Sequence, residues 1–335
     1  MRPFLLTAAA AAVSGTVLAS SSSSLSSSSS SDGGDSDNPL PLVIWHGLGD
    51  SSTSEGLADI AQLAEAFAPG IFVHVINPNP DGGDDRSATF FGNVTDQVAT
   101  VCAQLAAHPI LSTAPAIDAV GFSQGGQFLR GYVERCNAPP VRNLVTFGSQ
   151  HNGITRFRDC APADLVCKAA MALLRFNVWS AFVQARLVPA QYYRPTEPAA
   201  DYATYLASSN YLADINNERA LKNETYRANL ASLDNFVMYL FGNDTVSIPK
   251  ESAWFGEVSG DGNHVPLKER PIYKEDWIGL RALNDKGALS FRTIEAAEHM
   301  RIPTKVLNDT FKEFLGVYKG KKTSAFSDEG ISEEL

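Results

Sequence analysis

A mostly parallel α/β sheet flanked by helices, with a largely helical insertion, is the architecture this 335-residue sequence predicts. Three observations carry the expectation. Short apolar runs alternate with amphipathic helical stretches from residue 42 to 147, as parallel pairing through crossover helices requires. The alternation stops from about 150 to 235 and then resumes. A serine between glycines also sits where an apolar run hands over to a helix.

Taken in order, Leu42 to Trp45 reads as a strand delivering the Gly-rich loop His46-Gly47-Leu48-Gly49-Asp50. Ser54 to Phe67 carries Leu57, Ile60, Ala61, Ala64 and Phe67 as a helical stripe, stopped by Pro69-Gly70. Ile71–Ile76 is the next strand. Val94–Ala107 is helical, with Val98, Val101, Cys102 and Leu105 on one face. A strand at Ile117–Gly121, a helix at Gln124–Cys136 and a strand at Val141–Phe147 follow. From Gln150 to about Leu233 the chain is helical and irregular, with Pro189, Pro195 and Pro198 interrupting it. Strands at Phe236–Phe241 and Leu289–Ile294 and a helix at Lys305–Leu315 complete the domain, which spans residues 39–318.

The flanks set the compartment. Arg2, the uncharged apolar run Phe4–Leu18 and the small-residue site Val17-Leu18-Ala19 predict a signal peptide over residues 1–19; an uncleaved anchor is the alternative. Residues 20–38 are almost wholly Ser, Gly and Asp and read as a flexible stalk, and residues 319–335 as a loose polar tail. No later stretch is long and apolar enough to span a bilayer. Asn93, Asn223, Asn243 and Asn308 each head an Asn-x-Thr glycosylation acceptor. Four cysteines, Cys102, Cys136, Cys160 and Cys167, have no metal-ligand spacing and permit three pairings, so two disulfides are expected in an oxidising compartment. A Cys102–Cys136 bridge would contribute about 3–4 kcal/mol through chain entropy. The formal charge of −10 argues against nucleic acid, which needs a basic face, and against an anionic membrane held by charge.

Gly121-Phe122-Ser123-Gln124-Gly125 fits G-x-S-x-G, and its strand-to-helix setting is that of the nucleophile elbow of an α/β-hydrolase fold. A serine hydroxyl needs a base, and this fold orders its residues Ser, then Asp or Glu, then His. His46, His74 and His108 precede the serine. His151 follows too soon for an acid to intervene, and His264 reads as a residue of the polar loop Gly260–His264. His299, between the last strand and the last helix, remains. Asp244, just after Phe236–Phe241, is the acid, with Asp234, Asp261 and Glu257 as weaker rivals. The oxyanion donors are the amide of Gln124 and one from the first loop, Leu48 before its neighbours; His46 is a structural residue of that loop. Asp81-Gly82-Gly83-Asp84-Asp85 lacks calcium-site spacing and reads as a solvated turn. Met171, Leu174, Val178, Phe182 and Ala185 form a helical stripe, either core or the lining of an acyl groove.

The segments Val43 to Asp50, Gly121 to Arg130, Leu212 to Asn216 with Glu218-Arg219, Trp254-Phe255-Gly256 and Glu298-His299 resemble the palmitoyl-protein thioesterases, lysosomal enzymes that remove S-linked fatty acyl groups. The likeness runs from about Pro39 to Leu315. It implies Ser123, Asp244 and His299 as the triad, Leu48 and Gln124 as oxyanion donors, and Cys102–Cys136 and Cys160–Cys167 as disulfides. It also implies S-acylated proteins or peptides and palmitoyl thioesters as substrates, no cofactor or metal, and a lysosomal, vacuolar or secreted protein. Leu48 stands where the family usually has Met, and Ser52-Thr53 where animal members commonly have neighbouring cysteines. Alternatives on the same triad are a lipase or carboxylester hydrolase and an acyl-CoA thioesterase; from another class, an inactive hydrolase-like binding protein.

Overall fold

Leu42, Val43, Ile44 and Trp45 bury every side chain, and in the computed structural model they form β1 (Leu42–Trp45) of a six-stranded sheet. The structure describes residues 38–79, 85–157, 160, 162–174 and 177–316. The predicted signal peptide, nearly all of the Ser-rich segment, residues 81–84 of the acidic turn and the polar tail lie outside those residues. Helix α1 (Glu55–Phe67) leads to β2 (Val73–Val75), α2 (Val94–Ala107), β3 (Ile117–Phe122), α3 (Gln124–Arg135) and β4 (Val141–Phe147). The chain then makes α4 (Leu165–Leu174), α5 (Ala181–Gln184), α6 (Val188–Gln191), α7 (Ala199–Ser208), α8 (Leu212–Ile215) and α9 (Glu224–Ala231) before β5 (Asn235–Phe241). A hairpin of β6 (Glu257–Val258) and β7 (His264–Val265), helices α10 (Pro271–Lys274) and α11 (Leu280–Asp285), β8 (Leu289–Ile294) and α12 (Thr304–Phe314) follow.

The sheet order is β2-β1-β3-β4-β5-β8, and every neighbouring pair is parallel. Strand periodicity sorts the side chains to two faces. Val43 and Trp45 of β1, Ala119 of β3, Leu144 of β4 and Phe236 and Met238 of β5 pack with α2 and α3. The alternate residues Leu42, Ile44, Val120, Phe122, Val145, Phe147, Val237 and Phe241 pack on the other face against Leu57 and Ala64 of α1 and Leu307, Phe311 and Phe314 of α12. With both faces covered, the central strands carry no polar alternation, which is why they read as plain apolar runs. Among the described residues no helix is long and apolar enough to cross a membrane.

Several expectations need correction. The second strand is shorter than Ile71–Ile76 because β2 is an edge pairing only with β1. Phe67, the last residue of the α1 stripe, is exposed at the helix end. Pro189 lies in the first turn of α6, where a missing N–H costs nothing, and does not interrupt a helix. His264 lies on β7 and not in a loop. The Met171–Ala185 stripe is not one helix: Met171 and Leu174 belong to α4, whereas Phe182 is 56% exposed on α5. The β6–β7 hairpin, α10 and α11 are too short for periodicity to reveal.

Two disulfides are present. Cys102 of α2 joins Cys136 at the end of α3, and Cys160 joins Cys167 of α4. Buried ions tie the helices between β4 and β5 to the sheet. Arg130 of α3 donates to Glu134 (2.8 Å), to the carbonyls of Ile215 and His151 (3.0 Å each) and to Asn216 Oδ1 (2.8 Å). Asn216 Nδ2 then donates to Glu218 (2.8 Å), which also accepts from Arg194, Tyr202 and Tyr205.

Candidate active site

Strand β3 ends in a turn that only this sequence pattern tolerates. Ser123 adopts φ 52° and ψ −125°, a costly conformation for a residue with a Cβ. Its amide is held by the Phe147 carbonyl at 2.8 Å. A Cβ on Gly121 would collide with the Gly126 backbone, and one on Gly125 with the carbonyls of Trp45 and His46. Those two glycines let α3 start directly behind the serine, at the C-terminal ends of the central strands.

The other two predicted residues reach the same place from β5 and β8. His299 Nε2 lies 3.0 Å from Ser123 Oγ, and His299 Nδ1 lies 2.6 Å from Asp244 Oδ2. A carboxylate only accepts, so Nδ1 carries the proton and Nε2 is the acceptor facing the serine hydroxyl. The second oxygen, Asp244 Oδ1, accepts the amides of Val246 (2.8 Å) and Ser247 (3.0 Å), which fixes the carboxylate. Gly148, at φ +57°, leaves room for the imidazole; a Cβ there would meet His299 Cε1 at 3.2 Å. The rival acids are elsewhere. Asp234 precedes β5 at the far end of the sheet, Glu257 pairs with Arg194 and Arg270, and exposed Asp261 closes the β6–β7 turn. His151 is fully buried against Phe236 and Phe255, where burial and then the Arg130 charge hold its pKa well below the usual imidazole value.

The loop after β1 passes beside the serine, since a Cβ on Gly47 would stand 3.2 Å from Ser123 Cβ. Leu48 follows and lines the same cavity, and Gln124 is the first residue of α3, whose N–H has no carbonyl partner within the helix. Four contacts from residues 85–89 hold this loop. His46 Nε2 meets Asp85 Oδ2 at 2.9 Å, the Ser52 amide donates to Asp85, the Gly49 amide donates to Thr89 Oγ1 (2.9 Å), and Arg86 Nε donates to the Gly49 carbonyl (2.9 Å). Asp85 is therefore buried and engaged, not part of a solvated turn. Burial alone would raise its pKa, but the hydrogen bond and charge of His46 and the Ser52 amide outweigh that, and it is lowered. Nothing local in the sequence marks this pair, whose members are separated by 39 positions.

Ser123 and His299 open on a cavity of about 1190 Å³. Phe90, Ile154, Phe157, Ala170, Met171 and Tyr192 line it, as do Leu57, Ile60, Met300 and Ile302, together with the charged residues Asp50, Arg86, Arg156 and Asp164. Among the described residues no three His, Cys, Asp or Glu side chains gather as a metal site. The sequence profile described as Palmitoyl protein thioesterase matches residues 41–299, from β1 through the histidine of this site. The chain belongs to the palmitoyl protein thioesterase family. Its relatives in that family include palmitoyl-protein thioesterase 1 of Caenorhabditis elegans, 36% identical over 82% of this chain and 91% of the relative. Palmitoyl-protein thioesterase 3 of Dictyostelium discoideum is 32% identical over 76% of this chain and 83% of the relative. The lysosomal thioesterase PPT2 homolog of Drosophila melanogaster is 29% identical over 74% and 82%.

The glycosylation acceptors differ in setting. Asn223 and Asn243 are exposed, Asn93 caps α2 while accepting from Asn210, and Asn308 is half-buried on α12.

Proposed function

We propose that this thioesterase releases long-chain fatty acids, palmitate among them, from S-acylated cysteines of proteins through an acyl-serine on Ser123. The observation that carries the proposal is the continuous line from Asp244 through His299 to Ser123, ending in a cavity with apolar walls. His299 takes the Ser123 proton as Oγ attacks the thioester carbonyl, and Asp244 stabilises the imidazolium that forms. The Leu48 and Gln124 amides receive the oxyanion, aided by the N-terminus of α3. The C–S bond then breaks. A cysteine thiolate, with a conjugate thiol pKa of about 8.5, departs more easily than an alkoxide or amine, and His299 returns the proton. Water deprotonated by His299 attacks the acyl-serine and releases the fatty acid.

The acyl chain lies against Phe90, Ala170 and Met171, beneath the insertion of residues 150–235 within the catalytic domain of residues 39–318. A signal peptide, glycans at Asn223 and Asn243 and a lysosomal or vacuolar destination complete the proposal, supported by the lysosomal relatives. The test is fluorophosphonate labelling combined with turnover of a palmitoyl-cysteinyl peptide, palmitoyl-CoA and a triglyceride. The peptide is the expected substrate. Ser123→Ala or His299→Ala lowers turnover by at least about a thousandfold with the fold retained. Normal turnover in either variant, or no label on Ser123, overturns the assignment.

A further inference from the structure

The cavity is larger than one acyl chain needs. Each methylene fills roughly the 30 Å³ of a liquid water, so sixteen carbons take about 500 Å³. That is less than half of the 1190 Å³ present. The walls also belong to two separate parts of the core. Phe90, from the segment before α2, and Ala170 of the insertion, with Phe157 and Met171 packed on them, belong to one small cluster. Leu57 and Phe122, with Ile60, Met300 and Ile302 packed on them, belong to the sheet face that carries α1 and α12. Ser123 lines the cavity together with both.

From this we infer that the α1 side of the cavity is a leaving-group arm, which takes apolar residues flanking the acylated cysteine of a protein substrate. The inference rests on the thioesterase function proposed above. An acyl chain against Met171 leaves the thiol to exit toward the other wall. That wall is continuous with the base, because Met300 directly follows His299 and Ile302 lies two residues further on. Gly56, Leu57 and Ile60 present it from α1, Ile60 lying four residues after Gly56 and three after Leu57, the spacings of helix neighbours. Gly56 is exposed at the rim of the cavity, where a Cβ would meet no heavy atom within 4 Å, so a large side chain fits there. A leucine-sized flank buried in this arm raises kcat/KM by about tenfold or more, whereas a Gly or Ser flank gains nothing.

Two palmitoyl-cysteinyl peptides, one with Leu and one with Ser beside the acylated cysteine, provide the test alongside a series of acyl chain lengths. Wild type is expected to favour the Leu peptide about tenfold. Gly56→Trp fills the arm and brings that ratio toward unity while the preferred chain length stays the same. The substitution also removes a helical glycine, so the fold is retained. Met171→Trp does the reverse, shortening the preferred acyl chain while preserving the flank ratio. Ile60→Ser is the second probe of the arm and lowers the flank ratio without adding bulk. Equal turnover of the two peptides by wild type overturns the arm while leaving the thioesterase function standing. So does Gly56→Trp shortening the acyl preference as Met171→Trp does. Absence of thioester turnover altogether, with Ser123 unlabelled, instead overturns the function beneath it.

Discussion

The sheet and the helices between β4 and β5 are held by opposite means. The sheet buries apolar side chains on both faces, and its strands are joined by backbone pairing with a few side-chain bonds such as Arg142 to Asp118 and Asn235 to Asn143. The inserted helices are short, four of the six having eight residues or fewer, and cannot supply such a core. They lean on fully or nearly buried polar and charged groups, with Arg130 and Glu134 below and Arg194, Glu218 and Arg270 above, joined through Asn216. Apolar packing tolerates a lost methyl by partial collapse, but a buried charge deprived of its partner has no such relief. The lesson is that the half of the cavity under the insertion depends on a few directional bonds, whereas the placing of Ser123, His299 and Asp244 depends on the sheet.

The largest effect that breaks this comparison is expected from Glu218→Ala. Arg194 would lose its closest buried partner, at a cost of about 3–5 kcal/mol. Hydrogen exchange should then rise first in residues 188–219, with the amides of β3 to β5 still protected. Phe236→Ala, of similar cost at about 3–5 kcal/mol, should instead lower protection across the sheet. Uniform loss of protection in both variants would show that the two regions unfold as one.

Next is a pH effect within the ion network. Burial pushes Glu134 up to about 8, despite the opposing charge of Arg130, and pushes Asp118 up to about 6 despite Arg142. A carboxyl raised in the folded state keeps its proton there while the unfolded chain loses it, so stability falls as pH rises from the unfolded to the folded pKa. His151, depressed by burial and Arg130, works the other way below 6.5, and so does His74, depressed by burial and His108. About one unit above 6.5 both of these are neutral in either state, and Asp118 is already ionised. Glu134 therefore dominates as pH approaches 8, where the melting temperature is expected to fall. Glu134→Gln should flatten that fall, and an unchanged slope would contradict its buried protonated state.

A smaller effect sharpens the contrast at the catalytic end. Asp85→Asn weakens the charge-assisted hold on His46 and so loosens the loop bearing Leu48. We expect kcat to drop about tenfold, with little change in KM or in melting temperature. A change in KM alone would place Asp85 in substrate binding and not in loop positioning.

How much of this was legible depends on distance along the chain. Strands β1, β3, β4, β5 and β8 and helices α2, α3 and α12 could be read because apolar period and glycine position are local properties. Asp244 and His299 follow from the order the fold imposes and from the strands that precede them, and the structure sets His299 beside Ser123 and Asp244 behind His299. His46–Asp85 was not legible, because an aspartate in a Gly- and Asp-rich stretch looks the same whether solvated or buried. The short helices and the broken stripe at Met171 escaped for the related reason that four-residue elements carry no period.

By itself, then, the sequence determined the strained serine turn, the order in which Ser123, Asp244 and His299 follow one another, and the alternation that builds a parallel sheet. Each depends on chain-local sterics or on hydrophobic spacing. Only the tertiary structure decided which carboxylate would be buried, how the first loop is clamped, and that residues of separate core clusters line one cavity. Those outcomes arise where segments distant in sequence exclude water together, and no single segment contains that information.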